Sequence, residues 1–483
     1  MEQKYTDLLQ KAAAWIEAHK EEFISEIQGL VRIPSVSRQD LAEENAPFGP
    51  DCRKVLDYFL ERGRFYGFDA EDLQGCAGAI TFGDKENSLG VIAHLDVVPV
   101  GEGWVYPPFG ATYLPEYDVI IGRGAGDNKG PAVAGLFALR MLRDFHWPLR
   151  HGLRLIGGMS EETGMQDMEM LREKGFSFPR LSLVPDARFP VNFAQKGSID
   201  STLSCPCTGN LIAFDAGSVR NVIPDLAECT LTLEIEKVKA AFACLPEEDL
   251  EKLELLPCEE GTHILAHGKA GHAAAPALSD NAIARLSRAL TLSGILEGDC
   301  KKAMAELCAL SADGFGESEG VSYRDEESGE LTLVYSVAHL EKGVLSVLTD
   351  CRFSISLNGE TLENNLKKDW QRRGFSIPFL HRSNPFYLPK EDPRVIALQQ
   401  LYQEVTGRED PPYAMGGGTY SRAVPRAISF GPGIPGKGVD VSAFLPEGHG
   451  GGHGRDEALS LEAIRTCCQI YTVALAMLDE IED

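Results

Sequence analysis

The chain has 483 residues, 43% of them hydrophobic, and carries a formal net charge of −26 at pH 7. That length is too great for one ordinary core and favours two domains. The acidic balance argues against nucleic acid or an anionic membrane surface as a partner. Residues 1 to 22 hold no continuous apolar stretch, so neither a signal peptide nor a membrane span is read there, and no later segment is read as a span. Twelve cysteines are scattered without a CxxC pair, and Cys205-Pro206-Cys207 and Cys467-Cys468 are the only close neighbours. Reduced thiols and a cytoplasmic location are the expectation for such a pattern.

Apolar residues at helical spacing (Leu8, Leu9, Ala12, Trp15, Ile16, Phe23, Ile24, Ile27, Leu30) predict a helix over 7–31 that ends at Ile33-Pro34, with a second over 51–65. Strands at 79–82 and 89–94, a helix at 131–145, a strand at 153–157, a helix at 166–175 and a strand at 181–185 follow. That alternation predicts an α/β domain with helices on the sheet faces. From 191 the texture changes. Strands at 198–203, 229–235, 331–337 and 351–355, with a helix near 238–246, read as a separate α+β domain. The tail returns to a helix at 394–402, a loop at 416–418, a strand at 426–430 and a helix at 459–478. The expected fold is α/β: a catalytic domain with a central mixed sheet over 1–190 and 384–483, interrupted by an inserted α+β lid domain over 191–383.

Sites in such sheets form beyond the C-terminal ends of strands, and three of the predicted strands end close to His94, Glu161 and Asp186. In His94-Leu95-Asp96, the carboxylate can hold one imidazole nitrogen and present the other to a metal; a histidine that merely completes a core is the plainer alternative. Gly122-Arg123-Gly124-Ala125-Gly126-Asp127 first suggests a dinucleotide fingerprint, but a glycine is needed where Asp127 stands. The glycines instead let the chain turn tightly enough to project Asp127, where a carboxylate can bridge two cations; a solvated loop carboxylate is the plainer alternative. Ser160-Glu161-Glu162-Thr163-Gly164 sets two acids side by side, one able to bind metal and one to handle a proton, although acids also favour helix starts. Asp186 follows the strand at 181–185. His453 follows Gly450-Gly451-Gly452, and its spacing from His449 lacks the glutamate of the metalloprotease helix. His263, His267 and His272 have no carboxylate or cysteine at short spacing, so His272 alone is read as a functional contact, presented by a loop.

Taken in order, His94 through Pro99, Gly122 through Pro131, Glu161-Glu162-Thr163-Gly164, Pro185-Asp186, the His272 loop and His453 through Glu457 closely resemble the di-zinc dipeptidase, carboxypeptidase and deacylase family. The length, the loop Gly416-Gly417-Gly418-Thr419-Tyr420 and the large insertion look like PepV-type and Sapep-type dipeptidases, with carnosinases as relatives. The resemblance implies that His94 and Asp186 hold one metal, that Glu162 and His453 hold the other, and that Asp127 bridges them. It makes Asp96 the residue that orients His94, and Glu161 the general base. It assigns His272 of the lid to the oxyanion, and Asn221, Arg352, Gly417, Gly418 and Thr419 to substrate binding. It also implies a cis peptide after Asp127. Asn128 stands where many relatives carry a second aspartate.

Two divalent cations are thus expected, zinc first, with manganese or cobalt accepted by the same ligands. The expected activity is hydrolysis of dipeptides, with an N-acyl or N-succinyl amino acid deacylase as the alternative. The expected partner is a small peptide substrate, and the expected assembly a monomer or homodimer. An inactive binding scaffold and a nicotinamide-dependent oxidoreductase are the competing classes. The intact ligand set opposes the first, and Asp127 opposes the second.

Overall fold

The computed structural model describes residues 1–436 and 438–481. The chain divides into two compact units, one of Met1–Phe193, Leu388–Tyr413 and Thr419–Asp483, the other of Ala194–Tyr387 and Ala414–Gly418. The strip Ala414–Gly418, placed by sequence within 384–483, groups with the second unit.

The first unit is built on a mixed sheet. Its strands run Asp69–Leu73, Ala77–Phe82, Gly152–Gly158, Ser88–His94, Leu181–Val184, Ala427–Phe430, Val191–Gln195. Ser88–His94 is parallel to Gly152–Gly158 and to Leu181–Val184, and Ala427–Phe430 continues the parallel block. Every residue of Ser88–His94 and Gly152–Gly158 is buried, as expected of strands covered on both faces. Because His94 pairs with Gly158 in register, the parallel strands deliver their C-terminal ends, and the loops that follow, to one edge.

Two expectations for this unit need correction. The helix expected over 7–31 is a pair, Gln3–Ala18 and Lys20–Val31, broken at His19. There the imidazole stacks on Trp15 at 3.8 Å, and both the amide and Nδ1 of His19 reach the Trp15 carbonyl, at 3.1 and 2.8 Å. A side chain that competes for a helical carbonyl in this way bends the chain. The helix Leu461–Ile481, with 21 residues and a mean hydropathy of 1.3, is long and apolar enough to cross a membrane, contrary to the expectation that no segment qualifies. Its apolarity has a reason in the core: 67% of its most apolar window is buried, and it packs on Gln3–Ala18, Gly130–Asp144 and Pro393–Thr406.

The second unit has an eight-stranded antiparallel sheet in the order Leu253–Cys258, Gly261–His267, Leu226–Leu231, Leu211–Ala216, Thr332–Glu341, Val344–Phe353, Gly197–Pro206, Ser376–Ser383. Gly197–Pro206 alternates buried and half-buried residues over most of its length, as a sheet with one covered face requires. The strand expected at 229–235 stops at Leu231. Ile235–Phe242 is helical, burying Val238 and Phe242 one turn apart. The strand expected at 351–355 is the end of the longer Val344–Phe353. All twelve cysteines are free thiols.

In the core of the second unit, Trp370 Nε1 donates to the Tyr335 hydroxyl at 2.9 Å, and that hydroxyl donates to Glu319. Burial pushes the Glu319 carboxyl up to about 7, against the lowering effect of the Tyr335 hydrogen bond. An acid raised above its ordinary 4.5 favours the fold while protonated, and that contribution is lost as pH rises through about 7. Glu319→Gln, which keeps an acceptor for Tyr335, is expected to melt like the parent near pH 4 and above it at pH 8. The gain is on the order of 3 kcal/mol at most, and thermal unfolding at the two pH values measures it.

Candidate functional site

His94, fully buried, ends its strand with Nε2 lying 2.9 Å from Asp127 Oδ1 and 3.8 Å from Asp186 Oδ1. His453 Nε2 lies 3.1 Å from Asp127 Oδ2 and 2.9 Å from Glu162 Oε1. Asp127 therefore meets one histidine with each oxygen. Ligand atoms of His94, Asp127 and Glu162 lie within 4.8 Å of one another, and so do those of His94, Glu161 and Asp186. The structure thus brings together His94, Asp127, Glu161, Glu162, Asp186 and His453, drawn from both ends of the chain.

Backbone contacts explain how. The short strand Ala458–Ser460 pairs antiparallel with Val119–Ile121, and the Gly122 amide donates to the Glu457 carbonyl at 2.9 Å. This pairing carries the loop of His453 to the loop of Asp127. His453 itself adopts φ +60°, a left-handed turn reached after Gly450, Gly451 and Gly452. Glu457 Oε1 accepts the amides of Gly126 and Asp127 at 2.8 and 3.0 Å, while Oε2 accepts the Gly124 amide at 3.2 Å and Arg123 Nη1 at 2.8 Å. Arg123 Nη2 donates to the His453 carbonyl at 3.2 Å. The Asp127–Asn128 peptide is cis, and Asn128 Nδ2 donates to the Pro185 carbonyl at 2.5 Å and to Asp186 Oδ1 at 3.3 Å.

Asp96 works on three neighbours. His94 Nδ1 faces the Asp96 carbonyl at 3.0 Å and Oδ1 at 3.4 Å, so in the neutral ring Nδ1 carries the proton and Nε2 offers its lone pair. The same carboxylate accepts the amides of Glu161 and Glu162, each at 3.1 Å. His449 pairs with Asp456 at 2.6 Å, and Asp456 also accepts the amides of Val105 and Tyr106. That places His449 in support of the loop and outside the cluster.

Among the described residues, the cationic side chains that pair with Asp127, Glu162 and Asp186 are the two histidines. Burial and the charge of Asp186 drive the Glu161 carboxyl well above the usual range. Burial also raises Glu162 and Asp186. Asp127 goes the other way: burial opposes its charge, but hydrogen bonds from His453 and His94 hold it far below the carboxylate range. Hydrogen bonds to Asp127 and Glu162 push His453 up to about 11. His94 rises well above the usual histidine value despite burial, through Asp127, Asp186 and Asp96. Two imidazoles and four clustered carboxylates form a donor set suited to divalent cations.

The second unit has its own polar grouping. Val222 pairs with His272, and the Ala273 amide donates to the Asn221 carbonyl at 2.9 Å. His272 Nδ1 accepts the Ala274 amide at 3.1 Å, which leaves the proton of the neutral ring on Nε2. Arg352 pairs bidentately with Asp350, at 2.9 and 3.1 Å, and donates Nη1 to the Gly416 carbonyl at 3.2 Å, next to Gly417 and Gly418. Thr419, in the first unit, is buried, with its hydroxyl 2.9 Å from Ser421 Oγ and 2.7 Å from Ser429 Oγ. Sequence reasoning missed Asp350 and Asp167, and treated Arg123, Tyr420 and Glu457 as motif neighbours without a role.

A profile of peptidase family M20/M25/M40 matches residues 90–477. A Bacillus subtilis (strain 168) relative, provisionally named dipeptidase YtjP, is 29% identical over 466 residues, covering 94% of this chain and 97% of its own. The crystal structure of human carnosine dipeptidase 1 superposes with a TM-score of 0.59 at 15% identity, covering 98% of this chain and 99% of that one. The Saccharomyces cerevisiae di-peptidase Dug1p gives the same TM-score of 0.59 at 14% identity, covering 99% of each chain. At these identities the two structures speak for the fold.

Glu457→Ala would leave Arg123 buried without its anion and three amides without their acceptor. A loss of about 3–5 kcal/mol in stability is expected, read as a lowered midpoint in urea or thermal unfolding.

Proposed function

Because the chain belongs to peptidase family M20/M25/M40 and is therefore a peptidase, we propose that it is a metal-dependent dipeptidase with Glu161 as general base. The observation that carries this reading is the pair of interlocked ligand groups, His94–Asp127–Glu162 and His94–Glu161–Asp186, with His453 reaching Asp127 and Glu162. The donors fit: imidazole nitrogens and carboxylate oxygens are what zinc takes, with manganese or cobalt as substitutes. His94 and Asp186 would hold one cation, Glu162 and His453 the other, and Asp127 both. Bound there, two divalent cations supply Lewis-acid polarisation of a carbonyl and acidification of a water.

The remaining steps belong to the chain. Asp96 fixes the His94 tautomer and, through two amides, the turn that presents Glu161. Glu161, raised by burial and by the neighbouring charge of Asp186, is suited to take a proton from water and return it to the leaving amine. On the second unit, the protonated Nε2 of His272 is suited to an oxyanion, and Asn221, Arg352, Gly417 and Gly418 are proposed to bind substrate; Thr419 is a further proposed substrate-binding residue. A dipeptide presents a free carboxylate, which Arg352, already paired with Asp350 through Nε and Nη2, can reach only with its remaining N–H donors. The dipeptidase name carried by YtjP, with near-complete coverage of both chains, supports this choice over deacylation.

Removal of metal by a chelator is expected to abolish cleavage of dipeptides, and added zinc or manganese to restore it. Turnover of acetylated or succinylated amino acids alone, in the same panel, would replace this reading with deacylation. Glu161→Ala is expected to keep its metal and to lose roughly 10²- to 10⁴-fold in kcat; unchanged turnover removes Glu161 from the mechanism. His272→Ala is expected to lower kcat by roughly 10²- to 10³-fold, and steady-state kinetics on a dipeptide measure it.

A further inference from the structure

We propose that Asp167 and Tyr420 form a positioning pair for Glu161, an inference that rests on Glu161 being the general base. Glu161 lies in a turn whose four consecutive amides are taken by two buried carboxylates. Asp96 accepts those of Glu161 and Glu162 from the side of His94. Asp167 Oδ2 accepts those of Met159 and Ser160 at 2.7 and 3.1 Å, and the Tyr420 hydroxyl donates to the same oxygen. The other oxygen of Asp167 accepts the Met168 amide at 2.8 Å.

Both members of the pair are 0% exposed. A carboxylate so deeply buried keeps its place only through its donors. Removing the hydroxyl takes away one of the three donors on Oδ2, and the turn must follow the carboxylate as it relaxes. The strand end is shaped for this contact: a Cβ at Gly158 would lie 2.1 Å from the Tyr420 hydroxyl oxygen and 2.5 Å from Asp167 Oδ2. Glycine is therefore the residue that lets the two side chains meet behind the turn.

Tyr420 has a second contact that makes the idea separable from ligand support. Its ring packs edge-on to the His94 imidazole, with centroids 6.4 Å apart. Phenylalanine keeps that ring and loses only the hydroxyl, so the contact to His94 survives while the hold on Asp167 does not. Asp167 and Tyr420 act through the backbone of residues 159 and 160.

The experiment compares Tyr420→Phe, Asp167→Asn, the double variant and Glu161→Gln in the full, metal-loaded chain. Each single change at the pair is expected to lower kcat roughly 10- to 100-fold, with KM and zinc affinity, the latter from chelator competition, within about twofold. The double variant is expected to be no slower than the slower single one, as for residues that act together. The proposal is overturned if Tyr420→Phe keeps kcat within about twofold, or if zinc affinity falls in step with kcat. Should Asp167→Asn fail to fold, Tyr420→Phe decides alone, since it deletes a single oxygen. If Glu161→Gln remains active, the general-base reading falls and this inference with it; an inactive Glu161→Gln beside an active Tyr420→Phe overturns the positioning pair alone.

Discussion

Glu457 gathers on its two oxygens the amides of Gly124, Gly126 and Asp127 and the guanidinium of Arg123, which in turn holds the carbonyl of His453. One ion pair thus governs both the carboxylate that meets two histidines and the histidine that meets its second oxygen. Both partners are almost wholly buried. A buried pair of this kind adds little net stability compared with an apolar filling of the same volume. Its value lies in geometry, because its hydrogen bonds reach the main chain of the two loops that must meet.

The same device recurs in Asp96 and Asp167, which between them take the amides of residues 159 to 162. Anchoring through the backbone answers a physical problem peculiar to this centre. Asp127, Glu161, Glu162 and Asp186 crowd together in a partly buried place, where carboxylates repel; Glu161, Glu162 and Asp186 resist ionisation there, while two histidines keep Asp127 ionised. Flexible side chains on a mobile turn would splay apart. Main-chain amides locked onto buried acids let the fold bear the repulsion, and they fix the turns that carry these side chains.

The six clustered side chains were legible in sequence less from any single strand end or glycine turn than from the order of their motifs, which resembles a known family. Their supports were hidden. Asp167 stands in the first turn of a helix, where an acid needs no further explanation. Tyr420 stands in the sequence only as the end of the loop 416–420, and Asp350 just ahead of the strand expected at 351–355. The main strands were readable from apolar runs and alternation, yet the break at His19 was not. Apolar spacing continues from Trp15 and Ile16 to Phe23 and Ile27 on either side of it, and periodicity does not register a ring that bonds to a carbonyl. The final helix shows the reverse limit. Packing against three other helices demands apolar residues nearly all round, so this core helix is long and apolar enough to span, which the sequence reading did not register.

The pairing of Ala458–Ser460 with Val119–Ile121 also governs when the centre can exist. On the ribosome, His94, Asp127, Glu161, Glu162 and Asp186 emerge hundreds of residues ahead of His453 and Glu457. Throughout that interval the nascent polypeptide carries those acids without the strand that brings His453 to them. Completion therefore waits on translation past residue 460, and unfinished products lack the His453 side of the cluster.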